Sequence, residues 1–164
     1  MKNKLAVFAF FALVASGPLY AHKHEVDVKN AWVRTAVPGQ NATGAFMTIT
    51  HKNGARLVRG TSAAAGVTEI HEMKMEGDVM KMRAVPEGVD LPAGKAVELA
   101  PGGYHLMLMD LKAALPKDAT VPISLWFRDA KGVETKVDLN LPVAASSPGA
   151  KAGAPGAADA VHKH

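Results

Sequence analysis

The sequence has no cysteine. That absence excludes disulfides, thiolate metal sites, thiol catalysis, the thiolate ligand of a blue-copper centre and a lipidated N-terminal cysteine. Charge is also sparse. Charged residues make up 21% and no block of like charge occurs, so a nucleic-acid arm or a polyacidic tail is excluded as the main theme and no nucleic-acid partner is expected. After the N-terminal region there is no long apolar run, and stable membrane insertion of the mature chain is not expected. Gly-x-Ser-x-Gly, His-Glu-x-x-His and paired-carboxylate patterns are missing, and the chain is not read as an enzyme.

What remains is a chain of 164 residues, the length of one domain with tails, and 48% hydrophobic, which is enough for a core. It carries eight Met and seven His, an unusual store of thioether and imidazole. The first residues read as an export signal. Lys2 and Lys4 precede an unbroken apolar run from Leu5 to Ala15, Gly17-Pro18 ends any helix, and Leu19-Tyr20-Ala21 offers a cleavage site. A run of eleven residues falls well short of the ~20 that a membrane span needs. Residues 1–21 are therefore expected to be a signal peptide and the mature protein to be periplasmic. Cleavage removes two lysines and no acid, taking the formal net charge from +4 to about +2. Nonspecific polyanion binding is then expected to be weak.

Residues 22–143 read as an all-β domain. Alternating apolar stretches at Glu25–Arg34, Ala45–His51, Arg56–Thr61, Val67–Met75, Val79–Val85, Val97–Leu99, Tyr104–Met109, Val121–Arg128 and Val133–Leu141 are separated by Gly, Pro, Asn and Asp clusters. Glu76-Gly77-Asp78 predicts a hairpin. A single helical turn is expected at Asp110–Leu115. The pattern predicts an antiparallel Greek-key sandwich or barrel. Trp32 and Trp126 are expected as core anchors, and His51, beside a turn, as an exposed polar residue. Residues 144–164 are expected to be a flexible tail. Fifteen of the seventeen residues 144–160 are Ala, Gly, Ser or Pro, and the segment ends in His162-Lys163-His164.

Strand periodicity then groups the donors. His71, Met73 and Met75 share one face; so do Met80 and Met82; so do His105, Met107 and Met109. Met commonly fills gaps in a core. Against packing alone stands the clustering: six of the seven Met after the initiator fall within residues 73–109, and His-x-Met occurs twice. If these donors meet, the ion follows from their softness. Thioether sulfur favours Cu(I) over Zn(II) and harder ions, and Met and His survive where thiols oxidise. Such a set has no obvious water nucleophile and suits holding an ion.

The run His71-Glu-Met-Lys-Met, then Met82, then Pro101-Gly-Gly-Tyr-His105-Leu-Met107-Leu-Met resembles the periplasmic copper chaperones called PCuAC. The resemblance covers roughly residues 25–142, including Ala31-Trp32-Val33-Arg34 and Val121-Pro-Ile-Ser-Leu-Trp-Phe. The family pattern is His, ten residues, Met, about twenty-one residues, then His-x-Met. Here ten residues separate His71 from Met82, and twenty-two separate Met82 from His105. The resemblance implies a cupredoxin-like β-sandwich and a Cu(I) site of His71, Met82, His105 and Met107. It also implies copper delivery to the proteins that assemble the copper sites of cytochrome c oxidase. Met73, Met75, Met80 and Met109 are not carried over as ligands; each is read first as a packing or exposed residue, with support around the site or a transfer surface as the alternative. Pro101-Gly102-Gly103 is expected to set where His105 points, through positive φ and close backbone approach. The chain is expected to act as a monomer.

Cleavage after Ala21 would leave His22-Lys23-His24 at the new N-terminus. A free amine with His at the third position is a square-planar Cu(II) chelate. His162 and His164 repeat the pattern without the amine, on a tail long enough to reach the core site. Terminal Cu(II) capture by His22, His24, His162 and His164 is the corresponding expectation. Two other readings compete with a carrier: a copper-buffering or tolerance protein, and a metal-free sandwich acting as a binding module. An electron carrier of the blue-copper type is disfavoured by the missing cysteine.

Overall fold

The computed structural model describes residues 25–148. The expected signal segment, most of the expected tail, and His22, His24, His162 and His164 lie outside the described residues. Ten strands follow one another: β1 (Val26–Arg34), β2 (Ala42–His51), β3 (Ala55–Ser62), β4 (Ala65–Glu76), β5 (Val79–Ala84), β6 (Val89–Leu91), β7 (Ala96–Leu99), β8 (Tyr104–Leu111), β9 (Thr120–Arg128) and β10 (Glu134–Ala144). Among the described residues there is no helix, hence none long and apolar enough to cross a membrane.

The strands form a continuous path, β5-β4-β8-β2-β1-β10-β9-β3-β6, with β7 also paired to β2. This path folds back on itself as a sandwich. Gly60 of β3 lies so close to β8 that an added Cβ would sit 2.8 Å from Leu106 Cδ2. At the other end, the His51 ring of β2 is 6.3 Å from the Phe127 ring of β9. Between the layers, Ile49, Leu57, Leu106, Leu125, Phe127 and Leu141 are fully buried. Strand period two explains the selection: Val121, Ile123, Leu125 and Phe127 alternate inward along β9 with more exposed neighbours. The all-β sandwich expected from the sequence is present. Its pairings are antiparallel except at the seam between β1 and β10, where Val33 and Arg34 run parallel to Val143 and Ala144. A parallel seam joins strands distant in the chain, so local hairpin signals carry no trace of it.

Three expectations need correction. The helical turn at Asp110–Leu115 does not form. Asp110 takes φ 53°, and the Leu115 backbone instead exchanges two hydrogen bonds with Ala36, of 2.9 and 3.0 Å. His51 is 4% exposed, not a surface residue. The connection between β6 and β7 crosses its strand end, and the Gly94 N–H donates to the His51 carbonyl at 2.9 Å. Trp126 is half-buried on the outer face of β9, because Leu125 and Phe127 take the inward phase. Its ring carries the Arg59 guanidinium at 4.3 Å and the Lys136 ammonium at 5.4 Å.

The hairpin expected at Glu76-Gly77-Asp78 is formed by β4 and β5. Its two-residue loop gives Gly77 the positive φ (63°) that primed turns require. β6 was not expected from the sequence. It is three residues long, and it docks on β3 through Gly88, which has φ 81° and packs directly against the Leu57 carbonyl. Gly88→Ala should therefore destabilise the fold by at least about 1–3 kcal/mol, the cost of a side chain at positive φ, with the Cβ clash in addition. Urea unfolding checks this: the midpoint should fall with an unchanged slope.

Candidate metal centre

β2 is buried on both faces, which marks a second packing layer outside the sandwich core. Ala45, Met47 and Ile49 point into the core. Phe46 points the other way, where the Trp32 ring meets it at 4.8 Å. A bulge between Lys29 and Trp32, with Asn30 at φ 51°, makes this possible. It shifts the phase of β1, so that Val33 turns into the core and Trp32 out onto Phe46. The Arg34 guanidinium lies 5.2 Å from the Phe46 ring and 6.0 Å from the Trp32 ring. Gly44 is held open for Phe46, since an added Cβ would lie 2.7 Å from its Cζ.

The donor side chains project from this outer face. β4 and β8 pair with His71 directly opposite His105 and Glu69 opposite Met107. β2 and β8 set Gly44 opposite Met107, and β4 and β5 set Met73 opposite Met82. Phase follows from the core: Leu106 and Leu108 are buried inward, so His105 and Met107 face outward. A cleft of about 300 Å³ opens here, lined among others by Arg34, Phe46, Met73, Met82, His105 and Met107. His71 is not a wall of that cleft. Its ring is 5.9 Å from that of His105, edge-on, and 9% of the residue is exposed. So the structure brings the four residues singled out by the sequence to one face, three of them in one cleft and the fourth beside it. Met73, set aside as packing, lines the same cleft. His22, His24, His162 and His164 lie outside the described residues.

Each imidazole has one nitrogen engaged. His105 Nδ1 is 3.1 Å from the Gly103 carbonyl oxygen, so Nδ1–H donates and Nε2 keeps its lone pair. The same carbonyl accepts the Met73 N–H at 3.1 Å. The Pro101-Gly102-Gly103 turn thus aims His105, as expected, although only Gly102 uses positive φ (87°). His71 Nε2 lies 2.8 Å from Glu69 Oε2. With Nε2–H donating to this carboxylate, Nδ1 keeps the free lone pair, and that atom is buried with no hydrogen-bond partner. A buried lone pair without a donor is costly unless something electropositive meets it. The donor set fits a soft ion: two imidazoles with their second nitrogens anchored, and neutral thioethers beside them. Glu69 escaped the sequence reading. Its signal was position: two residues before His71, on the same face of the strand.

The sequence profile described as "Putative lipoprotein LpqE-like" matches residues 26–139. The chain belongs to the LpqE-like family. "Putative lipoprotein Lxx21020" of Leifsonia xyli subsp. xyli (strain CTCB07) is 36% identical over 104 residues. That match spans 63% of each chain, less than two thirds of the relative's length. The fold of this LpqE-like chain is the cupredoxin-like fold of PCuAC domains. The apo PCuAC domain of PmoF1 superposes with a TM-score of 0.55 at 22% identity, covering 73% of this chain and 95% of that one. The copper-bound PCuAC domain of PmoF2 gives 0.54 at 20%, covering 73% and 94%. The Cu(I) form of DR1885 from Deinococcus radiodurans gives 0.54 at 28%, covering 69% and 74%.

Burial holds the pKa of His105 below the ordinary imidazole value, against the Gly103 hydrogen bond, and the nearby His71 and Arg34 lower it further. The unfolded chain therefore takes up a proton at this residue that the folded chain refuses. Stability from His105 is complete above about pH 6.5 and declines as pH falls through that value towards the folded pKa. In the metal-free protein, His105→Gln should flatten the dependence of the urea midpoint on pH between about 7.5 and 5.5. An unchanged slope would contradict this.

Proposed function

We propose that this LpqE-like protein is an extracytoplasmic copper carrier whose cargo is Cu(I), held by His71, Met82, His105 and Met107. One observation carries the reading: His71 and His105 stand opposite each other on the outer sheet face, each with one nitrogen anchored and one free, beside a cleft walled by thioethers. The kinship with PCuAC domains, among them a Cu(I) form of DR1885, supports the choice of metal. Neutral ligands leave Cu(I) as a monocation, and thioethers hold it without the grip of a thiolate. No redox step or nucleophile is needed, so the protein is read as a carrier and not an enzyme. Glu69 and the Gly103 carbonyl act through the imidazoles: they fix each ring and raise the basicity of its free nitrogen.

The remaining parts belong to the same proposal. Residues 1–21 export the chain, residues 22–143 form the copper-binding domain, and residues 144–164 are a tail. His22, His24, His162 and His164 bind Cu(II), while the core site holds Cu(I). The receivers are periplasmic proteins that assemble the copper sites of cytochrome c oxidase, and the protein works as a monomer. The family description speaks of lipoproteins, yet these 164 residues offer no cysteine to carry a lipid.

Anaerobic Cu(I) competition titration tests the core of this. His105→Ala and Met82→Ala should each weaken Cu(I) binding, His105→Ala by more than the roughly 10–100-fold typical of losing an outer partner. Glu69→Gln, which keeps the shape but weakens the acceptor, should fall within that 10–100-fold range. Undiminished affinity in His105→Ala would refute the site.

A further inference from the structure

The β4–β5 hairpin runs out past the core, and every residue of β5 is exposed. Its two faces differ in chemistry. One face is charged. Arg83 pairs with Glu72 at 2.9 Å and Lys81 with Glu76 at 2.6 Å. The Glu72 carboxyl is held below its usual range chiefly by the Arg83 hydrogen bond. The other face is methionine. The register sets Met73 opposite Met82 and Met75 opposite Met80, so four thioethers stand in two successive rungs. The inner rung lines the cleft. The outer rung does not, and Met75 and Met80 are 53% and 47% exposed.

Neither packing nor strand preference accounts for the outer rung. Among the described residues nothing covers it. Solvent-facing strand positions favour Thr, Val, Tyr or charged residues over Met, and an exposed edge is usually guarded by Lys. Two flexible thioethers on facing residues do offer something else. Facing Cβ atoms lie roughly 4.5–5.5 Å apart, and the three torsions of Met let both sulfurs turn onto one ion between them.

We propose that Met75 and Met80 form a second site, for a soft monovalent cation, one rung outward from the cleft. The proposal rests on reading the cleft as the Cu(I) site. Two sulfurs and no imidazole, half in water, make it the weaker of the two. Successive rungs are roughly 7 Å apart along the strands. Passage between them is ligand exchange: one metal–sulfur bond forms as another breaks, the ion stays monovalent, and no proton or electron moves.

Silver(I), soft, monovalent and free of redox chemistry, is the probe. The full chain, labelled with carbon-13 at the methionine methyls, is titrated with silver nitrate in chloride-free buffer and followed by methyl NMR. Residue-resolved methyls keep the terminal histidines from confusing the count. The first phase should move the Met82 and Met107 methyls. A second, weaker phase should move Met75 and Met80 together, while Met47, buried in the core, stays put. Met80→Leu should abolish the response of Met75 and leave the first phase intact. The second site is overturned if Met75 and Met80 stay still while Met82 and Met107 respond. It is also overturned if all four move in one phase, or if Met75 responds undiminished in Met80→Leu. Movement of Met75 and Met80 with Met82 and Met107 silent would instead overturn the cleft reading and leave the outer rung standing.

Discussion

The pairing of β4 with β8 decides what the outer face can do. In the observed register His71 faces His105, Glu69 faces Met107, and Ile70 faces Leu106. Side chains alternate, so a slip of one residue would turn the donors of β4 inward and expose Ile70. Burying a side chain such as Ile70 or Leu106 is worth about 1.5–3 kcal/mol each. The core residues on β4 and β8 therefore enforce the donor geometry without touching it. The site needs no separate folding determinant; it is the reverse side of the core.

That reverse side has its own packing, and this separates the outer face from an ordinary solvated one. Trp32 and Phe46 are buried there outside the main cluster, with Arg34 laid over both rings. Phe46 in turn stands 6.2 Å from the His105 ring. The aromatic pair gives His105 a dry wall, and burial accounts for most of its preference for the neutral form. A neutral imidazole is the form that can donate a lone pair to a metal.

Much of this was legible in the sequence, for a physical reason. Strand period two can be read from a single stretch, so nearly all the strands, the β4–β5 hairpin and the shared faces of the donors follow from local pattern. Features that depend on two distant segments were not legible. The parallel seam of β1 and β10, the short β6 held against Leu57, and the burial of His51 under the β6–β7 connection all arise from contacts across the chain. Trp32 was expected in the core and is buried. It lies on the outer face, however, because a bulge at Asn30 reverses the phase, and a bulge leaves no composition signal when Asn takes the place of Gly. Glu69 looked like any strand carboxylate; only its distance to His71 distinguishes it.

On the proposed reading, the donors differ in how firmly the fold holds them, and the difference has a direction. His71 and His105 are buried on β4 and β8, paired directly with each other, and each has one ring nitrogen hydrogen-bonded to an acceptor. Met107 is partly buried beside Gly44. Met82 sits on β5, 49% exposed, and among the described residues no strand pairs beyond β5. An ion bound there would meet rigid nitrogen on the inside and mobile sulfur on the outside. Release by exchange with a receiving protein requires that some ligand leave first and at low cost. The thioether on an edge strand is the weakest donor and the least constrained, and a receiving protein can approach it without opening the core. Retention and transfer then fall to different strands of one sheet: β4 and β8 hold the ion, and β5 is where it is handed on.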